Sequence, residues 1–296
     1  MKKLVFFICV AVWSTFCQAE WPERTIKLII PYSPGGTTDI VVRTIESQLS
    51  ELLKAPIVIE YAPGASSSIG AAKASLAQDN HTFLVTADEL VTNNIINPDG
   101  PHALKNFKPV AFLAHSPIMI STGVNGSRDA KAILSNNNLS YGNGGINSIS
   151  NLAARKTNPK WTSVSYKGGS LMFADVIPGT VNLASCSVLQ ATTYIQSGKL
   201  TPIMVYSRTR SLAYPNVPTS YELGVPLEAS VWIGVVASRP TTDEAVDKMS
   251  KAILTVLKNS SITQPLVDRG LNVEPMDPRS FAVFLQQNTK QIKSLL

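Results

Sequence analysis

Reactive side chains are scarce in this sequence. Its 296 residues include three cysteines, Cys9, Cys17 and Cys186, and three histidines, His81, His102 and His115, and none has the spacing of a zinc or haem motif. Serines are plentiful, but the G-x-S-x-G turn that carries an α/β-hydrolase nucleophile is missing. Both common nucleotide loops are missing too: there is no G-x-G-x-x-G and no G-x-x-x-x-G-K followed by Ser or Thr. No metal or cofactor is therefore expected. Charged residues make up only 16%, and although Lys+Arg exceed Asp+Glu by 26 to 20, four basic residues never stand in a row. Phosphate tracking needs a clustered basic face, so nucleic acid is a poor candidate partner. What is there is apolar bulk: 44% hydrophobic residues, enough for one large or two ordinary globular domains.

The first residues read as an address. Met1-Lys2-Lys3 is a short positive segment, Leu4 to Val12 is apolar, and Ser14 to Ala19 is more polar and ends on a small residue. That is the layout of a cleavable secretory signal peptide over residues 1–19. A lipoprotein anchor at Cys17 fits less well, because Phe16 is bulky where such processing wants a small side chain. Without the leader the 26 basic residues lose Lys2 and Lys3, giving 24 against 20 acidic, and Cys186 is the last thiol. A lone thiol forms no internal disulfide, so core burial must hold the exported chain together. No later segment nears the roughly 18 uninterrupted apolar residues that span a bilayer, which predicts a soluble mature protein.

Downstream, strand and helix patterns alternate. Ile26 to Ile30 is a β-branched run ended by Pro31. Val41, Ile45, Leu49 and Leu52 then recur at helical spacing, with Thr37, Thr38 and Asp39 as candidate N-caps, and Ile57-Val58-Ile59 is the next strand. The pattern predicts a β-α-β unit with parallel strands. It continues through a small-residue helix from Ala71 and a strand at Phe83-Leu84-Val85. Two strands, 110–113 and 118–121, are predicted on either side of Pro117. A second set follows, with strands at 139–141, 163–166, 181–183 and 202–206 and helices from about Ser150 and Leu171. Two such sets predict two α/β domains. Near the C-terminus, Thr241 to Glu244 reads as a capping box ahead of a Val246, Met249, Ile253, Leu257 stripe. Asp277-Pro278 opens a last helix with Phe281, Phe284, Leu285 and Ile292 on one face.

In open α/β sheets ligands bind beyond the carboxyl ends of strands, which turns attention to the loops there. Pro31 to Asp39, Pro63 to Gly70, Gly142 to Ser150 and Tyr166 to Ser170 each join a strand to a helix and are rich in Gly, Ser, Thr or Asn. Glycine lets backbone approach a ligand closely, and a helix start offers unpaired N–H groups, so each loop is either an anion cradle or an ordinary capped turn. One helix start gives an anion about 0.3–1 kcal/mol, or ~2 when partly buried. Micromolar binding needs about 8 kcal/mol, so several loops would have to enclose one ligand. Cys186, after a strand, either faces a cleft or packs as a small apolar side chain.

In order and spacing these segments resemble a known family, the extracytoplasmic Bug or TctC-like receptors of tripartite tricarboxylate transporters. The resemblance rests on Trp21-Pro22, the run Ile26 to Gly36 with Thr38-Asp39, Pro63-Gly64-Ala65 with Ile69-Gly70-Ala71, Asn106 to Ala111, Leu139 to Gly142, Tyr166-Lys167-Gly168, Ser197 to Leu200, and Asn216 to Thr219 with Glu222-Leu223-Gly224. It implies a two-domain, periplasmic-binding-protein-like α/β fold in which two lobes joined by crossover strands close on a small organic acid. It also implies delivery to integral membrane transporter subunits, a periplasmic location, a monomer and no chemical conversion. Lobe one is expected over residues 21–116 and 234–296 and lobe two over 117–233, hinged near Pro117 and Trp232.

By the resemblance Tyr32, Ser33, Gly35, Gly36, Thr37 and Thr38 surround one carboxylate together with Tyr166, Lys167 and Gly168, while Asp39 caps the helix or orients water. Asn143, Asn147, Ser148 and Ser150 would reach the ligand from the second lobe, with Ser66, Thr86, Ala87 and Asp88 near its other end and Cys186 completing the set. Thr86-Ala87-Asp88-Glu89 departs from the small neutral residues usual there. An acid facing the cleft would disfavour a dicarboxylate and favour a ligand with an amine, such as an amino acid; the alternative is a solvated acidic turn. Asn151, Asn182 and Cys186 are further departures. Two other functions share the pattern: a ligand sensor feeding a membrane signalling protein, and a secreted hydrolase, which would need Ser, His and an acid meeting in the cleft.

Overall fold

The computed structural model describes residues 20–296, so the leader expected over 1–19 lies outside the described residues. The strands are β1 (Ile26–Ile30), β2 (Ile57–Tyr61), β3 (Thr82–Thr86), β4 (Phe107–Gly123), β5 (Ser140–Asn143), β6 (Thr162–Ser165), β7 (Leu183–Ser187), β8 (Leu200–Val205) and β9 (Ser230–Ser238). The α-helices are α1 (Thr37–Leu53), α2 (Ser68–Ser75), α3 (Glu89–Ile96), α4 (Ala130–Ser135), α5 (Ile149–Thr157), α6 (Gly169–Val176), α7 (Val188–Gln196), α8 (Asp243–Leu257), α9 (Ser260–Val267) and α10 (Pro278–Lys293).

Two sheets result. The first runs β2-β1-β3-β9-β4, with β1 parallel to β2 and β3, and β9 antiparallel to β3 and β4. Strands β1 and β3 are buried almost throughout, as expected for strands covered on both faces. The second is built on β7, β5 and β6, with β4 antiparallel to β7 and β8 on its two sides. Strand β4 belongs to both sheets. Residues Phe107 to Pro117 pair with β9, and from Ile118 onward the strand pairs with β7. Pro117 therefore does not split two strands, as the sequence pattern implied. It sits where β4 changes partner, and a residue without an N–H is tolerated at such a margin.

Buried apolar clusters flank both sheets. Leu152 of α5 and Leu189 of α7, which belong to the second sheet's helices, pack into clusters of the first. The last helix closes over an aromatic group of Phe112, Trp232, Phe281 and Phe284, and the Trp232 indole N–H donates to Asn288 Oδ1 at 3.0 Å.

Four local expectations shift. Gly36, not Thr37, Thr38 or Asp39, is the N-cap of α1, so those three form its first turn. Leu52 points to solvent, because the apolar stripe ends with Leu49. Helix α8 is capped by Thr242, whose hydroxyl accepts from Ala245 N–H; Glu244 therefore falls one position early for a capping box. The second set also begins β7 at Leu183 rather than Val181.

Candidate ligand-binding site

The loops leaving β1, β3, β5 and β6 and the end of β7 meet around one cavity of about 100 Å³. A single ordered water needs only ~10–15 Å³ on the same kind of measure, so the space suits a small molecule. The first sheet supplies Tyr32, Ser33, Gly36, Thr37 and Thr38 from the loop into α1, and Ala87, Asp88 and Glu89 from the start of α3. The second supplies Gly144, Ser148, Ile149 and Ser150, then Lys167, Gly168 and Gly169, then Ser185, Cys186, Ser187 and Gln190. Ile118 and Val231, on the two strands that pass between the sheets, complete the wall.

Five helices start around this cavity; α3 follows Asp88, which makes no side-chain cap to it, and the other four starts are of two kinds. Helix α1 begins after Gly36 and α6 after Gly168, both N-caps in extended backbone and neither with a side-chain cap. The first N–H groups of a helix have no partner within it, so these two starts, one from each sheet, present donors and partial positive charge to the cavity. Helices α5 and α7 are closed off. Ser148 Oγ accepts from Asn151 N–H, and Ser187 Oγ accepts from Gln190 N–H. Moreover, Ile149 N–H donates to Asp88 Oδ2 at 2.7 Å, so the start of α5 already holds a carboxylate of the chain itself.

Several contacts tie the two halves together across this space. Thr37 Oγ1 and Ser187 Oγ lie 2.6 Å apart, and Asn147 Nδ2 donates to Asn93 Oδ1 at 2.9 Å. At Gly168 a methyl group would come within 2.8 Å of Ser33 Cβ, so glycine is what lets the two loops touch. Gly35 adopts φ +83°, a left-handed conformation that other residues adopt only at a cost, and turns the chain into α1. Asp39 fixes that turn: its carboxylate accepts from Gly35 N–H at 2.8 Å and from Arg43 and Tyr61.

Asp88 and Glu89 are 2% and 5% exposed and line the cavity, rather than forming a solvated turn. Glu89 Oε2 accepts from the Tyr32 hydroxyl at 2.9 Å. Burial, followed by the charge of Glu89, pushes the Asp88 carboxyl well above the usual carboxylate range. Burial also raises Glu89, against the hydrogen bond from Tyr32. The Cys186 thiol is pushed up to about 12 by burial, which keeps it protonated and unreactive at neutral pH. Lys167, exposed at the rim, is the one basic side chain among the lining residues.

Of the residues singled out from sequence, Tyr32, Ser33, Gly36, Thr37, Thr38, Ala87, Asp88, Ser148, Ser150, Lys167, Gly168 and Cys186 come together on the wall. Gly35 and Asp39 lie behind it. Ser66 and Tyr166 line a neighbouring cavity of about 210 Å³ that shares Tyr32, Gly144 and Lys167, and the Tyr166 hydroxyl donates to Asp175. Asn143 bonds to Ser163, Ser165 and Gly145 N–H inside the second lobe, and Asn147 bonds across to Asn93. Thr86 sits beneath the loop, its buried hydroxyl without a partner among the described residues. Asn151 accepts from Tyr141 and Ser163, and Asn182 from Ser140, so both departures hold loops together away from the wall.

Sequence reading did not single out Gly144, Ile149, Ser185, Ser187 and Gln190 as wall residues. For the last two a signal existed: Ser187-Val188-Leu189-Gln190 has the Ser-x-x-Gln spacing of a helix start. Ile118 and Val231 carry no local signal, because only the strand crossing puts them there. No histidine lines the cavity, and its serines Ser148, Ser150, Ser185 and Ser187 bond to one another, to Thr37 or to main chain, as in Ser148 Oγ to Ser150 Oγ at 2.8 Å and Ser185 Oγ to Ser150 O at 2.8 Å. Among the described residues no group of His, Cys, Asp and Glu could hold a metal ion.

Two α/β lobes joined by crossing strands, with a small cavity where their loops meet, define a protein of the periplasmic-binding-protein type. The particular family follows from comparison: residues 41–296 match the model of the tripartite tricarboxylate transporter family receptor, TctC, and the chain belongs to that family. Among its relatives is protein BugT of Bordetella pertussis, 25% identical over 281 residues, covering 90% of this chain and 86% of BugT. A solved structure described as a periplasmic transporter is 27% identical, with a TM-score of 0.87, over 93% of this chain and 97% of that one. MatC from Rhodopseudomonas palustris, solved with bound malate, has the same fold at 24% identity and a TM-score of 0.83, over 93% of this chain and 99% of MatC.

Proposed function

We propose that this chain is a periplasmic receptor that captures a small carboxylate between its lobes and delivers it to the integral membrane subunits of a tripartite transporter. One observation carries the reading: the uncapped starts of α1 and α6, contributed by opposite lobes, face the same cavity. An anion there accepts main-chain N–H groups from both sides, and charge-assisted hydrogen bonds contribute about 1.5–3 kcal/mol each. Three or four of them reach the roughly 8 kcal/mol of micromolar binding. Because each lobe supplies half the donors, only the closed arrangement is fully satisfied, and ligand shifts the open–closed equilibrium toward it.

In this reading Gly36, Thr37, Thr38, Gly168 and Gly169 hold the carboxylate, and Tyr32, Ser148, Ser150 and Cys186 shape the remainder. Lobe one comprises residues 21–116 and 234–296 and lobe two 117–233, with bending where β4 and β9 pass between sheets. The leader over residues 1–19 is removed on export, and the receptor acts as a monomer without a cofactor. The malate held by MatC supports the ligand class. Among the described residues no helix is long and apolar enough to cross a membrane, which accords with a receptor that meets its transporter from outside the bilayer.

A thermal-shift screen of the purified protein against monocarboxylates, dicarboxylates, amino acids and aromatic acids tests this. At a ligand concentration 100 times Kd, mass action adds about 2.7 kcal/mol. At least one carboxylate should therefore raise Tm by several degrees. A screen in which no carboxylate of any class does so contradicts the proposal.

A further inference from the structure

The cavity wall has two electrical characters. The starts of α1 and α6 offer N–H donors. Asp88 and Glu89 offer acceptors: Oδ2 of Asp88 accepts from Ile149 N–H and Oε2 of Glu89 from Tyr32, and the other oxygen of each accepts from no other residue among the described residues. Among the described residues neither carboxyl has a cationic partner within ion-pairing distance, although both are more than nine-tenths buried. Thr38, 4% exposed, adds a hydroxyl to the same wall.

A second carboxylate on the ligand would meet two like groups in a space of about 100 Å³, with Asp88 already occupying the start of α5. A cationic nitrogen would instead find two free acceptor oxygens with no competing basic side chain except Lys167 at the rim. We infer that the cavity selects an acid that also carries a cationic nitrogen, such as an amino acid, over a dicarboxylate of comparable length. This rests on the carboxylate-receptor reading and narrows its substrate class. Thr38 then donates to the carboxylate of that ligand, or accepts from its N–H groups.

Calorimetric titration of the purified protein with matched acids of three to six carbons tests the inference. The probes are the straight-chain monocarboxylates, the dicarboxylates, and the 2-amino and ω-amino monocarboxylates. The expected result is an amino acid bound at least tenfold more tightly than every monocarboxylate and dicarboxylate in the set. Glu89→Gln, which keeps an acceptor for Tyr32, and Asp88→Asn, which keeps one for Ile149, should each cut that preference at least fivefold without lowering the Tm of the free protein by more than a few degrees. Dicarboxylates binding as tightly as the best amino acid, or a preference unchanged in both variants, would overturn the inference and leave the receptor reading standing. If no probe of any class binds, the receptor reading fails and the inference with it.

Discussion

Five helices begin at the same cavity; α3 starts behind Asp88, whose carboxylate reaches across to Ile149 instead of capping its own helix, and of the other four two are finished while two are not. Ser148 and Ser187 close the starts of α5 and α7 with side-chain oxygens, as most helix starts are closed, whereas α1 and α6 start behind Gly36 and Gly168 with no side chain to accept their N–H groups. Glycine ranks below Ser or Asp as a cap by only a few tenths of a kcal/mol, so an open helix start is a small sacrifice of stability. In the proposed reading what it gains is a pair of donor sets, one per lobe, left for an anion. The proposed function would then separate helix starts that serve the fold from those that serve a ligand, within one wall and with nearly the same loop composition.

The comparison breaks most completely if an open start is closed. Gly36→Asp places a carboxylate at the N-cap of α1, where its Cβ meets nothing nearer than Ser33 O at 3.6 Å. Such a cap should leave the Tm of the free protein unchanged or raised, while carboxylate affinity measured by calorimetry falls about 100-fold, because the chain's own anion fills the cradle. Gly168→Ala sharpens the same point by geometry. Its methyl group would press on Ser33 and hold the lobes apart, and an affinity loss of about tenfold is expected with little change in free-protein Tm.

On the closed starts the balance of effects reverses. Ser187→Ala removes the cap of α7 and the partner of Thr37, so stability should fall by about 1 kcal/mol, or roughly 2–4 °C in Tm, with affinity changed less than fivefold.

The smallest effect concerns pH. Asp88 and Glu89 are raised above the ordinary carboxylate range, so the folded protein retains protons that the unfolded chain has released, and stability declines as pH rises through the window between those values. Tyr32 from the loop into α1 and Lys167 from the loop into α6 are the other ionisable side chains of the wall beside the buried Cys186 thiol. Glu89→Gln should flatten that decline and raise free-protein Tm at pH 8 by a degree or more relative to its effect at pH 4; a parallel pair of Tm–pH curves would contradict this.

Much of the scaffold was legible because local patterns agree with the fold. The run Ile26 to Ile30 and the Val41, Ile45, Leu49 stripe are buried as their periods require. Thr242 and Asp277 cap helices within a residue of where the sequence put them. Pro117 misled, because proline argues against a strand interior, and sequence does not show that the strand leaves one sheet for another there. The wall was half legible. Glycine and serine loops mark strand-to-helix turns, but nothing local distinguishes a loop that faces the shared cavity from one, like Ser66 with Tyr166, that lines the neighbouring space. The burial of Asp88 and Glu89 was hidden for a related reason: two adjacent acids after a strand resemble a solvated turn until the second lobe covers them and Ile149 donates across.

The most direct measurement is a crystal structure of the protein with the tightest small carboxylate found in the screen. The account predicts the carboxylate between the lobes, within hydrogen-bond distance of main-chain N–H groups of both α1, at Thr37 or Thr38, and α6, at Gly169 or Ser170. A ligand bound elsewhere, or held in the cavity by Lys167 and hydroxyl groups while those amides remain free, would contradict it.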